Sequence, residues 1–259
     1  MKIMTERSSK ILGTFIFVVL ISGLIYLVFF SNKKTDKGEV KMIEIYGNHL
    51  LPVNEYLAFT KLGDSSKFGN LTLPEIKTKF EQHPYVLSAD VELAGDNTVK
   101  VHLTEKSIEA VLLSAGEPNF ITDSFQVLPL MPNTKFIDFP VISNSSYEKE
   151  IKPLSFIRTT DVVEAFKIIE AAKMANLNMS KKLSEINLRK GGDIILTFSN
   201  IKPPVIFGKG EAPKKMVYLD AMWSKIIEQN TLADNSDYID LRFSDEIFVG
   251  SSEKTGNTE

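Results

Sequence analysis

Residues 84–106 read PYVLSADVELAGDNTVKVHLTEK, and the apolar and polar alternation running through them decides the fold. Leu87, Ala89, Val91 and Leu93 lie on one face of a predicted strand, with Ser88, Asp90 and Glu92 opposite. Val99, Val101 and Leu103 repeat the pattern against Lys100, His102 and Thr104. Residues 94–98, with Gly95-Asp96-Asn97 at their centre, supply the turn that makes the pair a hairpin. Upstream, Thr72-Leu73-Pro74-Glu75 has the form of a capping box with proline just inside the helix start, and Leu73, Ile76 and Phe80 recur at helical spacing. His83-Pro84 stops that helix. A short helix from about Pro52, with Tyr56 and Leu57 on its apolar side, precedes it. Before that, residues 41–46 have strand character and Gly47-Asn48 ends them. The order is strand, helix, helix, strand, strand.

Downstream the pattern changes to a longer mixture. Residues 160–175 have helical periodicity, with Thr160 or Asp161 as cap and Val163, Phe166, Ile168 and Ile169 as the apolar side. Two strand-like runs, 183–188 and 193–198, flank Gly191-Gly192. Val205-Ile206-Phe207-Gly208 precedes a helix from about Pro213 to Gln229 whose Met216, Leu219, Met222, Trp223 and Ile226 share a face. Residues 238–243 alternate again, and Glu246-Ile247-Phe248-Val249 reads as the terminal strand.

At the other end, Ile11–Phe30 is one charge-free apolar run. A helix of that length rises roughly 30 Å, the hydrocarbon thickness of a bilayer, so a transmembrane anchor is expected. A cleavable signal peptide competes, but its apolar core is shorter, about 7–15 residues, and ends at a small-residue site, whereas this run ends in Phe29-Phe30-Ser31-Asn32. Lys2, Arg7 and Lys10 before the run and Lys33, Lys34, Lys37 and Lys41 after it leave orientation undecided by charge; the single N-terminal span favours a cytoplasmic tail. The chain has no cysteine and a net charge of −3, from 30 Lys and Arg against 33 Asp and Glu. Lipid attachment through cysteine is excluded, and nothing marks a nucleic-acid footprint.

The strand–helix–helix–strand–strand segment resembles a POTRA domain, and the closest resemblance is to the FtsQ/DivIB family of bacterial cell division proteins. It rests on Ile43-Glu44-Ile45-Tyr46-Gly47-Asn48, Pro84-Tyr85-Val86-Leu87, Asn97-Thr98-Val99 and Thr104-Glu105-Lys106. Phe120-Ile121-Thr122-Asp123, Phe139-Pro140-Val141-Ile142 and Tyr238-Ile239-Asp240-Leu241-Arg242-Phe243 extend it. Two positions depart: Ser107 stands where the family often has proline, and Phe125 where a turn glycine is common. The resemblance implies a non-enzymatic divisome scaffold of the inner membrane, with an extracytoplasmic C-terminal domain at the division site. It also implies FtsL-like and FtsB/DivIC-like single-span coiled-coil partners near the C-terminal strand.

The expected fold class is α+β: a single N-terminal transmembrane helix, a β-α-α-β-β POTRA domain, then a mixed α/β domain with a largely antiparallel sheet. The corresponding spans are 1–10 cytoplasmic tail, 11–30 anchor, 31–39 linker, 40–107 POTRA domain, 108–250 membrane-distal domain and 251–259 flexible tail.

Catalytic chemistry is weighed residue by residue. His49, His83 and His102 have no ligand at metal spacing and read as solvent-facing structural residues. Gly208-Lys209-Gly210 between a strand and a helix lacks both phosphate-loop patterns and reads as a turn. No G-x-S-x-G is present. Asp240 and Arg242 share a strand face and read first as a fold-supporting ion pair, then as a partner contact. No enzyme, metal or cofactor is expected. Two other classes compete with the scaffold: a POTRA-type chaperone of an outer-membrane assembly protein, and a membrane-tethered periplasmic enzyme. The first needs following barrel strands and the second a convergent site, and the sequence shows neither. Binding remains, through a sheet edge left unpaired by the last strand. The partner-binding candidates are Tyr238, Asp240, Arg242, Ile247, Phe248 and Val249, and a proline at Phe248 is expected to remove a main-chain donor from that edge.

Overall fold

The computed structural model describes residues 15–26, 40–65, 68, 71–114, 116–135, 138–147, 151–228, 236–243 and 246–250. The chain is α+β, with a mixed main sheet. A helix, α1, covers 15–26. The expected transmembrane helix over 11–30 is not met: among the described residues no helix is long and apolar enough to cross a membrane. At 1.5 Å per residue, the described residues of α1 rise about 18 Å, against a hydrocarbon core of about 30 Å. The rest of that run, the expected tail at 1–10, the linker 31–39 and the tail 251–259 lie outside the described residues.

The first folded unit runs β1 (Met42–Tyr46), α2 (Val53–Thr60), α3 (Leu73–Glu81), β2 (Val86–Leu93) and β3 (Thr98–Glu105). β3 lies in the middle, parallel to β1 and antiparallel to β2. Thr72 and Glu75 form the full capping box of α3, each serving the other's backbone N–H. Asp96 and Asn97 take positive φ of 61° and 60° in the β2–β3 turn, a conformation their short side chains tolerate. At Gly47, φ is 79° and a Cβ would lie 2.3 Å from the Leu103 carbonyl oxygen, so only glycine lets β1 leave the sheet there.

The alternation in β2 is broken at its start. Leu87, expected in the core, is 64% exposed, and Val86 is buried in its place. The register against β3 shifts between Val86 and Ser88, and this bulge turns Leu87 outward.

The second unit is a nine-stranded sheet. Its strands are β4 (Ile108–Ser114), β5 (Glu117–Thr122), β6 (Val127–Pro129), β7 (Val141–Ser143), β8 (Leu183–Asn187), β9 (Ile194–Phe198), β10 (Val205–Gly208), β11 (Tyr238–Asp240) and β12 (Phe248–Gly250). Their spatial order is β12-β11-β10-β9-β8-β7-β4-β5-β6. The sheet is mixed: β4–β7, β7–β8 and β10–β11 are parallel, and its other pairings are antiparallel. In two of those pairs helices supply the crossover: α4 (Thr160–Ala175) with α5 (Leu177–Ser180) between β7 and β8, and α6 (Ala212–Glu228) between β10 and β11.

Strand alternation distributes two cores. Ala110, Leu112, Ile121, Val127 and Ile142 face α4 and α6, joining Ile168, Ala172, Met216, Leu219 and Trp223. Val111, Phe120 and Leu128, one residue out of step, face the other way and pack with Tyr56, Phe80, Tyr85 and Val101 of the first unit. One end of the sheet is therefore covered on both faces. Each large side chain taken fully from water there contributes roughly 1.5–3 kcal/mol.

Candidate functional site: the open sheet edge

The two outer strands of the nine-stranded sheet are treated differently by the chain. β6 is covered: the Val127 N–H donates to the Ser155 carbonyl, the Leu154 N–H to the Val127 carbonyl, and Gln126 bridges Phe156. β12 pairs β11 on one side, and among the described residues no strand lies on its other side.

The ladder shows which groups of β12 point outward. The Ile239 and Leu241 N–H groups donate to the Pro204 and Ile206 carbonyls of the β10 side, at 3.0 and 2.9 Å. Strand alternation then aims Tyr238 and Asp240 at β12, where they oppose Gly250 and Phe248. The main-chain groups of Phe248 are consequently spent on β11, and those of Val249 face outward. A proline at Phe248 would break the sheet internally, which corrects the sequence expectation for that position.

Apolar side chains flank the edge on both faces. On one, Phe248 stacks edge-on against Phe243 with ring centroids 4.8 Å apart, and both are about half exposed. The Tyr238 ring lies across Gly250, where a Cβ would sit 2.2 Å from its Cζ. On the other face Val249 opposes buried Ile239. A groove of about 270 Å³ there is lined by Tyr218, Ala221 and Met222 of α6 and by Ile247, which precedes the strand rather than belonging to it.

The remaining candidates, Asp240 and Arg242, are structural in geometry. Asp240 is 4% exposed. Arg242 grips its carboxylate through Nε at 3.0 and 3.1 Å and Nη2 at 2.6 Å, and reaches Asp193 through Nη1 at 3.1 Å. The hydrogen bonds from Arg242 hold the Asp240 carboxyl below the usual carboxylate range, against the opposing effect of burial.

The chemistry-bearing residues elsewhere are also engaged. In the Gly208-Lys209-Gly210 turn, the Gly210 N–H donates to Glu164 at 2.9 Å and Lys209 is held by the Gly191 carbonyl. A crevice of about 270 Å³ beside them opens at the N-terminus of α4, but Asp161 occupies that terminus, accepting from Ser146 and Val162 N–H groups. A phosphate would meet carboxylates there. His49 and His102 are exposed, and His102 stacks on Tyr46 at 5.0 Å. His83 is not solvent-facing as expected: it is 1% exposed, enclosed by Tyr56, Phe59 and Tyr85, with Nδ1 accepting the Tyr85 N–H at 3.1 Å. No group of three or more His, Cys, Asp or Glu side chains converges as for a metal ion among the described residues.

Among the described residues the open feature of this two-unit α+β protein is a strand edge, a surface suited to binding by strand addition. Residues 119–242 match the family model of the cell division protein FtsQ/DivIB C-terminal domain, which covers β5 to the end of the Asp240–Arg242 motif. That match supports the FtsQ/DivIB family and a role in cell division. No curated protein matches the chain.

Proposed function

We propose that the protein is a non-enzymatic scaffold of the bacterial divisome that captures partners by strand addition at β12. The residues at this site are Tyr238, Ile247, Phe248 and Val249, with Asp240 and Arg242 behind them. The partners of this reading are FtsL-like and FtsB/DivIC-like coiled-coil proteins on the outer side of the cytoplasmic membrane at the division site. The 40–107 unit is the POTRA domain of the same reading. One observation carries it: of the two outer strands of the main sheet, β6 is covered, whereas among the described residues no strand covers β12, which has apolar side chains on both faces. Main-chain hydrogen bonds would supply affinity, and alternate partner side chains would enter the α6 groove and the Phe243–Phe248 face to give specificity.

The test follows from the ladder. Val249→Pro removes the outward N–H without touching the β11 pairing, as an edge strand permits. Capture of small single-span coiled-coil proteins from solubilised membranes should be abolished by Val249→Pro and reduced by Val249→Ala, with circular dichroism unchanged in both. Undiminished capture by a folded Val249→Pro protein would move the binding site off this edge.

A further inference from the structure

Three sequence features that lie apart in the chain meet at one end of β10 and β11. Gly208, with φ of 68°, ends β10, and a Cβ placed on it would lie 2.8 Å from the Arg242 Cγ. The arginine stem therefore lies directly over this glycine. From there the guanidinium spans from Asp240 at the end of β11 to Asp193, just before β9. Beneath, Lys215 of α6 is 6% exposed, and its Nζ donates to the Phe207 and Lys209 carbonyls, 2.9 Å each, on either side of Gly208. Burial pushes the Lys215 pKa down, the Asp240 charge among others opposes that shift, and the lysine's charge in turn lowers the Asp240 carboxyl.

β11 needs this support. It holds β10 by two register positions and β12 by three, and strands that short contribute little stability of their own. We infer that Gly208, Lys215, Asp240 and Arg242 form one brace that fixes β11 to the sheet and thereby holds β12 in place, making them positioning residues for partner capture rather than contacts. The capture half of this inference rests on the function proposed above; the brace itself does not.

Hydrogen exchange of the full chain separates the two. In Arg242→Gln, amides of 238–240 and those of Phe248 and Gly250 should exchange at least about tenfold faster, as expected for loss of a charge-assisted bond. Amides of 183–198 should stay within about twofold. Gly208→Ala keeps every charge but displaces Arg242, and should reproduce the local effect. Lys215→Met tests the lower half, and if it fails to fold the other two variants decide. Unchanged exchange at Phe248 and Gly250 in folded Arg242→Gln and Gly208→Ala, or equal acceleration throughout the sheet, would overturn the brace. A loosened β12 with undiminished capture of coiled-coil proteins would leave the brace standing and overturn the strand-addition reading.

Discussion

At the scale of single residues, His83 shows how enclosure sets chemistry. Its ring sits between three aromatic side chains, Nδ1 accepts the Tyr85 N–H, and Nε2 is buried without a partner. Burial first, and the Lys106 charge second, pull its pKa down to about 4, so the folded protein holds it neutral. In the unfolded chain the ordinary value is about 6.5. Between these values the unfolded chain carries the extra proton, so stability is full above about pH 6.5 and is lost as pH falls toward 4, by on the order of 3 kcal/mol. Urea unfolding at pH 7, 6 and 5 should show this slope. His83→Asn, whose side-chain oxygen can still accept the Tyr85 N–H, should be less stable at pH 7 and flatter across the window. An unchanged slope in that variant would assign the pH dependence to another group.

At the scale of elements, β2 carries the clearest test of the bulge. Val86→Ser should cost about 1–3 kcal/mol, because it places a hydroxyl in the joint core, whereas Leu87→Ser should stay within about 0.5 kcal/mol. Equal losses in thermal unfolding would contradict the register shift at Val86. The same strand marks what a sequence can reveal. Period-two alternation identifies β2 and β3, and the reciprocal side chains of Thr72 and Glu75 identify the start of α3, because both signals lie within a few residues of each other. The helix read over 160–175 forms on those residues for the same reason. The bulge leaves no local mark, since Leu87 is apolar and in phase. His83 looks like a helix stop beside a proline, because the aromatic rings that enclose it come from α2 and from Tyr85. At the proposed site, the alternation of 238–243 is visible, but which main-chain groups of β12 point outward depends on how β11 pairs with β10. That Asp240 and Arg242 clamp each other while Gly208 makes room for the arginine is likewise a contact between distant segments.

At the scale of the whole molecule, the two units share a core and a polar joint. The Glu105 carboxylate accepts the His49 and Leu50 N–H groups and the Tyr56 hydroxyl, fixing the loop after β1. Leu50 in turn accepts the Lys135 N–H, and Asn133 donates to Glu55 at 2.8 Å. Tyr85 is the centre of the joint: its hydroxyl donates to the Pro129 carbonyl and accepts the Met131 N–H, both at 2.9 Å, while its ring meets Phe120 edge-on. The joint is thus made by packing, with no proline needed at Ser107. Tyr85→Phe keeps the ring and removes the hydroxyl that pairs a half-buried carbonyl and amide, so it should cost about 0.5–1.5 kcal/mol. It should also separate one cooperative denaturant transition into two, read by fluorescence and circular dichroism together. Coincident transitions at the original midpoint would show that the hydroxyl does not couple the units.

The unequal treatment of β6 and β12 has a consequence for assembly. A sheet with two bare margins can add copies of itself head to tail without limit and grow into a fibre. Here the segment around Leu154–Phe156 closes one margin, so among the described residues β12 is the margin left for pairing, and β12 meeting β12 about a twofold axis would close on itself at two copies. Such a dimer and a captured partner strand would compete for the same hydrogen-bonding groups, so crowding the protein together at one place in the cell would terminate in pairs rather than filaments, and each partner strand taken up would dissolve half a pair.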